Sequence, residues 1–185
     1  MSEEIIVRYS SPTLAGIKSG SLFTQKYEDK ETLISEIKRL NRSLRNKGVI
    51  ILPLRFWNNT VLILVYRPSL LRKCINDTLA QKILLNCGYD YKDLNSHGRS
   101  ISRLAARIKE NQFPHEIGIF LGYPPKDVKG FIDNNAYNYK MSGLWKVYSD
   151  VDYASRLMNS YHKCTDNYLK RFNSGYQLDT LTVKI

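Results

Sequence analysis

Val49-Ile50-Ile51-Leu52-Pro53-Leu54-Arg55-Phe56-Trp57-Asn58-Asn59-Thr60-Val61-Leu62-Ile63-Leu64-Val65-Tyr66-Arg67 is the stretch that decides the fold class. Two runs rich in β-branched residues, Val49 to Arg55 and Thr60 to Arg67, flank Phe56-Trp57-Asn58-Asn59. That arrangement predicts a β-hairpin, and the scarcity of polar residues inside the runs predicts strands that are largely buried. Pro53 has no N–H to give a ladder, so its strand lies at a sheet edge or carries a bulge.

Upstream of the hairpin, Leu33, Ile34, Ile37, Leu40 and Leu44 recur at helical spacing, and Lys38, Arg39, Arg42 and Arg45 fall off that face. Gly48 is a natural stop for this helix. Nearer the start, Ile5 to Tyr9 reads as a short strand ended by Ser10-Ser11-Pro12, and Thr13 to Phe23 as a loop of small residues. Downstream, Pro68 opens a helix running to Cys87 and Gly88, with a break near Asn76-Asp77. Ser100 to Glu110 is helical with Ile101, Leu104, Ala105 and Ile108 inward, and Leu144 to Tyr148 reads as a strand. Ala154, Leu157, Met158, Tyr161, Cys164, Tyr168 and Phe172 trace one face of a long C-terminal helix over about 151–172, with Asp150 placed to cap it. Leu181-Thr182-Val183 is read as closing the sheet. The sum is an α+β fold: a small mixed or antiparallel sheet containing the hairpin at about 49–67, flanked by several helices.

The chain's 185 residues fit one domain spanning 1–185, and 43% hydrophobic content argues against disorder. Twenty-eight Lys+Arg against seventeen Asp+Glu give a net charge of +11, which favours anionic partners. The three cysteines, Cys74, Cys87 and Cys164, show no CxxC or His/Cys metal spacing, so no metal site is expected. The start, Met1-Ser2-Glu3-Glu4, lacks the basic flank of a signal peptide. The longest apolar runs fall well short of the roughly 18 residues a membrane span needs. Together these features predict a soluble protein in a reducing cytoplasm.

The segment from His115 to Ile132 supports two incompatible readings. As a helix-turn-helix it offers a small contact residue, Gly118, a turn glycine, Gly122, and apolar Val128 and Phe131 at the right offsets. The front of its second helix, however, presents Pro124, Pro125, Lys126 and Asp127, which gives a base or phosphate one cation and one repulsive carboxylate. As a ligand pocket, the same segment supplies His115 and Tyr123. Arg99, Arg103 and Arg107, at i, i+4 and i+8, form a guanidinium stripe that suits phosphate oxygens or simply faces water. Gly16, Gly20, Ser19 and Ser21 around Lys18 suit an anion, but the spacing is not that of a nucleotide-phosphate loop. His162 and Cys164, two residues apart on a helix, point in nearly opposite directions and cannot form a nucleophile–base pair.

The blocks Pro12-Thr13-Leu14-Ala15-Gly16-Ile17-Lys18 with Ser21-Leu22-Phe23, then His115-Glu116-Ile117-Gly118 with Leu121-Gly122-Tyr123-Pro124, Asp127-Val128 and Gly130-Phe131, then Gly143, Trp145-Lys146-Val147-Tyr148 and Cys164-Thr165 resemble an uncharacterised bacterial family found mainly in anaerobes. The resemblance spans nearly the whole chain and implies no activity, fold or catalytic residue. Family members often carry a cysteine just before Pro-Thr-Leu-Ala, where this chain has Ser10-Ser11.

The leading expectation is a pocket for a small anionic ligand, phosphorylated or cofactor-like, whose identity the sequence leaves open. Lys18 and Lys146 would neutralise it, Tyr123 and Trp145 would stack on it, Tyr148 would flank it, and His115 would orient it or exchange a proton as candidate catalytic residue. The alternatives are nucleic-acid binding through 115–133 or through Arg99, Arg103, Arg107 and Lys126, and docking of an acidic protein partner.

Overall fold

The computed structural model describes residues 2–109 and 113–185. The chain packs as two compact units, one made of Met1–Leu70 with Tyr161–Ile185 and the other of Leu71–Ser160.

The first unit is built on an antiparallel sheet of β1 (Gly20–Lys26), β2 (Ile50–Trp57) and β3 (Thr60–Tyr66), in the order β1-β3-β2. The hairpin is as expected. Its first strand runs two residues further, to Trp57, its second ends at Tyr66, and the chain turns between them through Asn58 and Asn59, at φ 41° and 54°. Two left-handed residues define the primed turn that matches strand twist, and asparagine tolerates it better than most residues. Pro53 satisfies both of its expectations, since β2 is an edge strand and its register shifts between Pro53 and Arg55. β3, hydrogen-bonded on both sides, is buried from Val61 to Tyr66.

Three readings of this unit's sequence are corrected. Ile5 to Tyr9 is part of a helix, α1 (Glu3–Leu14), not a strand. Ser2 caps it, Glu3 and Glu4 suit the positive end of its dipole, and Ile6, Val7, Ser10, Ser11 and Leu14 are buried. Serines at core-facing positions hide the helical period, and the Ser11 hydroxyl turns back to the Val7 carbonyl. Thr13 to Phe23 is not a loop, because Thr13-Leu14 end α1 and Gly20 begins β1. Leu181-Thr182-Val183 does not join the sheet. Leu178–Leu181 form a single helical turn, α10, and Val183 N–H bonds the Leu14 carbonyl at the end of α1. The third strand is β1 instead.

Helix α2 (Lys30–Leu44) buries Leu33, Ile37, Leu40 and Leu44, and the chain leaves it through a tight turn at Arg45–Lys47 into Gly48, at φ 75°. These side chains meet Phe23, Ile51, Val61, Ile63 and Val65 from the sheet and Leu178 and Leu181 from α10 in one core. Arg67 lies fully buried just past β3. Its guanidinium donates to the carbonyls of Thr13 and Leu14 at the negative end of α1, of Lys47 (2.8 Å) and of Val183 (2.7 Å).

The second unit is mainly helical. The break expected after Pro68 separates α3 (Pro68–Ile75) from α4 (Thr78–Asn86), and Asp77 caps α4 through the N–H groups of Leu79 and Ala80. After Gly88, at φ 86°, come α5 (Tyr91–Leu94) and α6 (His97–Ile108), which buries Ile101, Leu104 and Ile108. Glu110, the expected end of this helix, lies outside the described residues. Two short helices follow, α7 (Ile117–Phe120) and α8 (Pro125–Asp133). The strand expected over Leu144 to Tyr148 shrinks to β5 (Lys146–Val147), paired with β4 (Met141–Ser142), because the chain turns sharply at Gly143. Asp150 caps α9 (Val151–Asn173), whose second half belongs to the first unit. The architecture is α+β, with a small antiparallel sheet, flanking helices and a long helix near the C-terminal end.

A candidate ligand site in the second unit

Asp127 organises this site. It stands in the first turn of α8, where Pro125 starts the helix without wasting an N–H, and its carboxylate is buried. One oxygen accepts from the Trp145 indole N–H at 2.8 Å. The other accepts from Tyr148 N–H at 2.9 Å, Ser149 N–H at 2.8 Å and the Ser149 hydroxyl at 2.7 Å. A carboxylate held by four donors tolerates burial, and here it clamps the β5 segment onto α8.

Three glycines permit that clamp. A Cβ on Gly130 would lie 2.5 Å from Tyr148 Cβ, one on Gly118 2.7 Å from Val128 Cγ2, and one on Gly143 2.5 Å from Met158 Sδ. Only Gly122, in the turn before α8, is a glycine of this region held at positive φ, 76°.

Above the clamp a cavity of 470 Å³ opens. On one wall the Trp145 and Tyr123 rings stack, with centroids 4.9 Å apart and planes at 24°. Tyr123 also donates its hydroxyl to the Leu144 carbonyl at 3.3 Å. The exposed His115 ring, also part of the lining, packs 5.0 Å from Phe131. Lys146 sends its ammonium to the Ala136 carbonyl at 2.8 Å, 4.7 Å from the Tyr139 ring centroid and 5.9 Å from that of Phe131. The turn that presents this carbonyl is strained, with Asn135, Ala136 and Asn138 at φ 47°, 66° and 58°. Left-handed backbone costs an L-residue such as alanine about 1 kcal/mol or more, and such strain gathers at working sites.

Of the candidate ligand residues, His115, Tyr123, Trp145 and Lys146 therefore line one cavity. Tyr148 supports it from behind, its backbone held by Asp127 and its side chain against Gly130. Lys18 is in the first unit, where its ammonium lies 5.8 Å from the Tyr161 ring and burial lowers its pKa to about 8.

The members of the proposed nucleic-acid surface are in part occupied. Arg103 donates to the Gly88 carbonyl at 3.0 Å, and Arg107 pairs at 2.5 Å with the buried Glu116, which also accepts from Tyr89. Arg99 and Lys126 are exposed. Burial, with Glu116 adding to it, pushes the neighbouring Cys87 thiol up to about 11, and burial does the same to Cys164, so both stay protonated at neutral pH.

Sequence reasoning took Asp127 for an exposed repulsive charge and overlooked it as the organiser. A buried tryptophan needs an acceptor for its N–H, and that requirement was the available signal. Among the described residues, no group of three or more His, Cys, Asp or Glu side chains is placed to hold a metal ion, and no helix is long and apolar enough to cross a membrane.

The model of a family described as "Protein of unknown function (DUF3793)" matches residues 6–182, and the chain belongs to that family. No curated protein and no solved structure matches it.

Proposed function

We propose that this member of the family binds a small, flat ligand bearing an anionic group, in the cavity lined by the Trp145–Tyr123 stack and the His115–Phe131 pair. One observation carries the reading: an aromatic wall fixed by a buried carboxylate stands beside the ammonium of Lys146, the residue that follows Trp145. Stacked rings favour a planar ligand, and the cavity is large enough for one. Lys146 supplies charge, but it is already held by a carbonyl and two rings. A ligand anion must therefore compete for it, which favours a carboxylate, sulfonate or phosphate over a weak dipole. His115, exposed at the rim, orients the ligand and is the residue through which proton exchange would run if the protein is a catalyst. Lys18 belongs to the first unit, and its part in binding is tested by its own substitution: Lys18→Met should weaken binding of the probe if the ammonium contributes.

The probe is 8-anilinonaphthalene-1-sulfonate (ANS), whose flat naphthalene carries a sulfonate. Trp57→Phe leaves Trp145 as the reporting tryptophan. Saturable binding with quenching of Trp145 is expected, and Lys146→Met should weaken it about tenfold, roughly 1.4 kcal/mol. Absence of saturable binding, or a Lys146→Met variant that binds as the parent does, rejects the reading. Mass spectrometry of gently purified protein would identify a natural occupant.

Nucleic-acid binding has thinner support. Helix α7 is a single turn, the front of α8 is spent on Asp127's internal bonds, and Arg103 and Arg107 are engaged. Its test is a duplex shift in low salt. An acidic protein partner draws on net charge alone.

A further inference from the structure

A second cavity, of 350 Å³, lies in the same unit. Its lining includes Lys73, Cys74, Pro124, Pro125 and Tyr153, and among the described residues Tyr123 alone belongs to the linings of both cavities. We propose that Tyr123 is a partition that sets ligand size, closing the ring-lined cavity against its neighbour so that a compact flat ligand is admitted and an elongated one refused. This rests on the ligand-binding reading above and adds the class of ligand the site rejects.

The tyrosine is held as a partition has to be. Its ring is stacked on Trp145, which Asp127 fixes in turn. Its hydroxyl donates to the carbonyl of Leu144, another lining residue, and Cδ2 lies 3.2 Å from where a Cβ on Gly118 would stand. The backbone behind it is equally constrained: Tyr123 N–H bonds the Gly118 carbonyl at 2.9 Å, and Pro124-Pro125 follow at once. A side chain restrained at ring, hydroxyl and backbone does not swing aside at little cost. The far cavity has its own ammonium, Lys73, which is exposed and would meet the second anionic end of a long ligand if the way were open. Tyr123→Phe keeps the ring and should keep the barrier. Tyr123→Ala removes the ring and should join the two spaces.

The experiment compares ANS with its covalent dimer, bis-ANS, and follows alkylation of Cys74 by mass spectrometry as a reporter on the far cavity. In the parent protein and in Tyr123→Phe, ANS binds, bis-ANS binds at least tenfold more weakly than ANS, and Cys74 is alkylated at the dye-free rate. In Tyr123→Ala, the affinity of bis-ANS relative to ANS should rise about tenfold, and bis-ANS should slow alkylation of Cys74. Tyr123→Leu, which keeps apolar bulk near Trp145, carries the same test if the alanine variant does not fold, with a smaller gain expected. An unchanged dye ratio in the truncated variant overturns the partition while leaving the ligand site standing. Protection of Cys74 by bis-ANS in the parent protein does the same, because the cavities would already communicate. Failure of the parent to bind ANS removes the ligand site, and the partition falls with it.

Discussion

Gly118, Gly130 and Gly143 are small for a reason that differs from that of Gly122. They are places where another chain segment passes, not places where the backbone needs a left-handed turn. Alanine is ordinarily the better helix residue by about 1 kcal/mol. At Gly130, however, the new methyl would meet Tyr148 Cβ, an atom tied to its own backbone. Gly130→Ala should therefore destabilise by about 1–3 kcal/mol in urea unfolding, the overpacking cost winning over the propensity gain. A neutral or stabilising result would mean that the β5 segment lifts off α8 with ease. Lys18 carries a second expectation. Burial lowers its pKa from 10.5 to about 8, so between these values the unfolded chain binds more protons than the folded one. Lys18's contribution to stability accordingly rises with pH through that window. Buried Tyr66 and half-buried Tyr123, whose pKa values loss of solvent raises, act in the opposite sense at the alkaline end. The measurement is therefore a difference: the stability advantage of Lys18→Met over the parent should be largest below pH 8 and vanish above 10.5. A constant difference across that range rules out the buried-ammonium account.

Among the elements, the hairpin turn gives the cleanest test. Asn59 stands at φ 54° as the second turn residue, a position glycine fills at less conformational cost. Asn59→Gly should stabilise by about 0.5 kcal/mol, read by thermal unfolding; destabilisation would show that the asparagine side chain matters more than the turn. The hairpin was also the part most legible in the sequence, because its strands are apolar throughout and its breaker is short. Helices α2 and α6 and the long α9 were legible for a related reason, since their buried positions carry large aliphatic or aromatic side chains. α1 was misread because Ser10 and Ser11 occupy inward positions and Pro12 sits inside the helix. β1 was missed because Gly20 and Ser21, buried at its start, look like turn residues. At the site, the rings and Lys146 stood out by type, but the bonds of Asp127 to Trp145 and Ser149 span 18 and 22 residues, and no local pattern announces them.

At the scale of the whole molecule, Arg67 is the most consequential buried charge. It faces backbone carbonyls from α1, from the turn after α2 and from the C-terminal segment. Arg67→Met fills similar volume yet leaves those acceptors without their donor, each at about 1–3 kcal/mol if water cannot reach it. The variant should lose most of the stability of the first unit, seen as early loss of hydrogen-exchange protection in β3; protection equal to the parent's would show that water replaces the guanidinium. The single domain proposed for residues 1–185 makes a separate demand, one cooperative calorimetric transition, and two resolved transitions would overturn it.

Because Tyr161–Ile185 completes the unit that the first 70 residues begin, a ribosome must translate the intervening Leu71–Ser160 before that unit can close. At about 5–20 residues per second, nascent β3, apolar along its length, waits on the order of 5–20 s for Leu178 and Leu181 to arrive. Such a delay makes the newborn chain a client for holding chaperones, and synonymous codons that slow translation of the middle segment should lower the soluble yield.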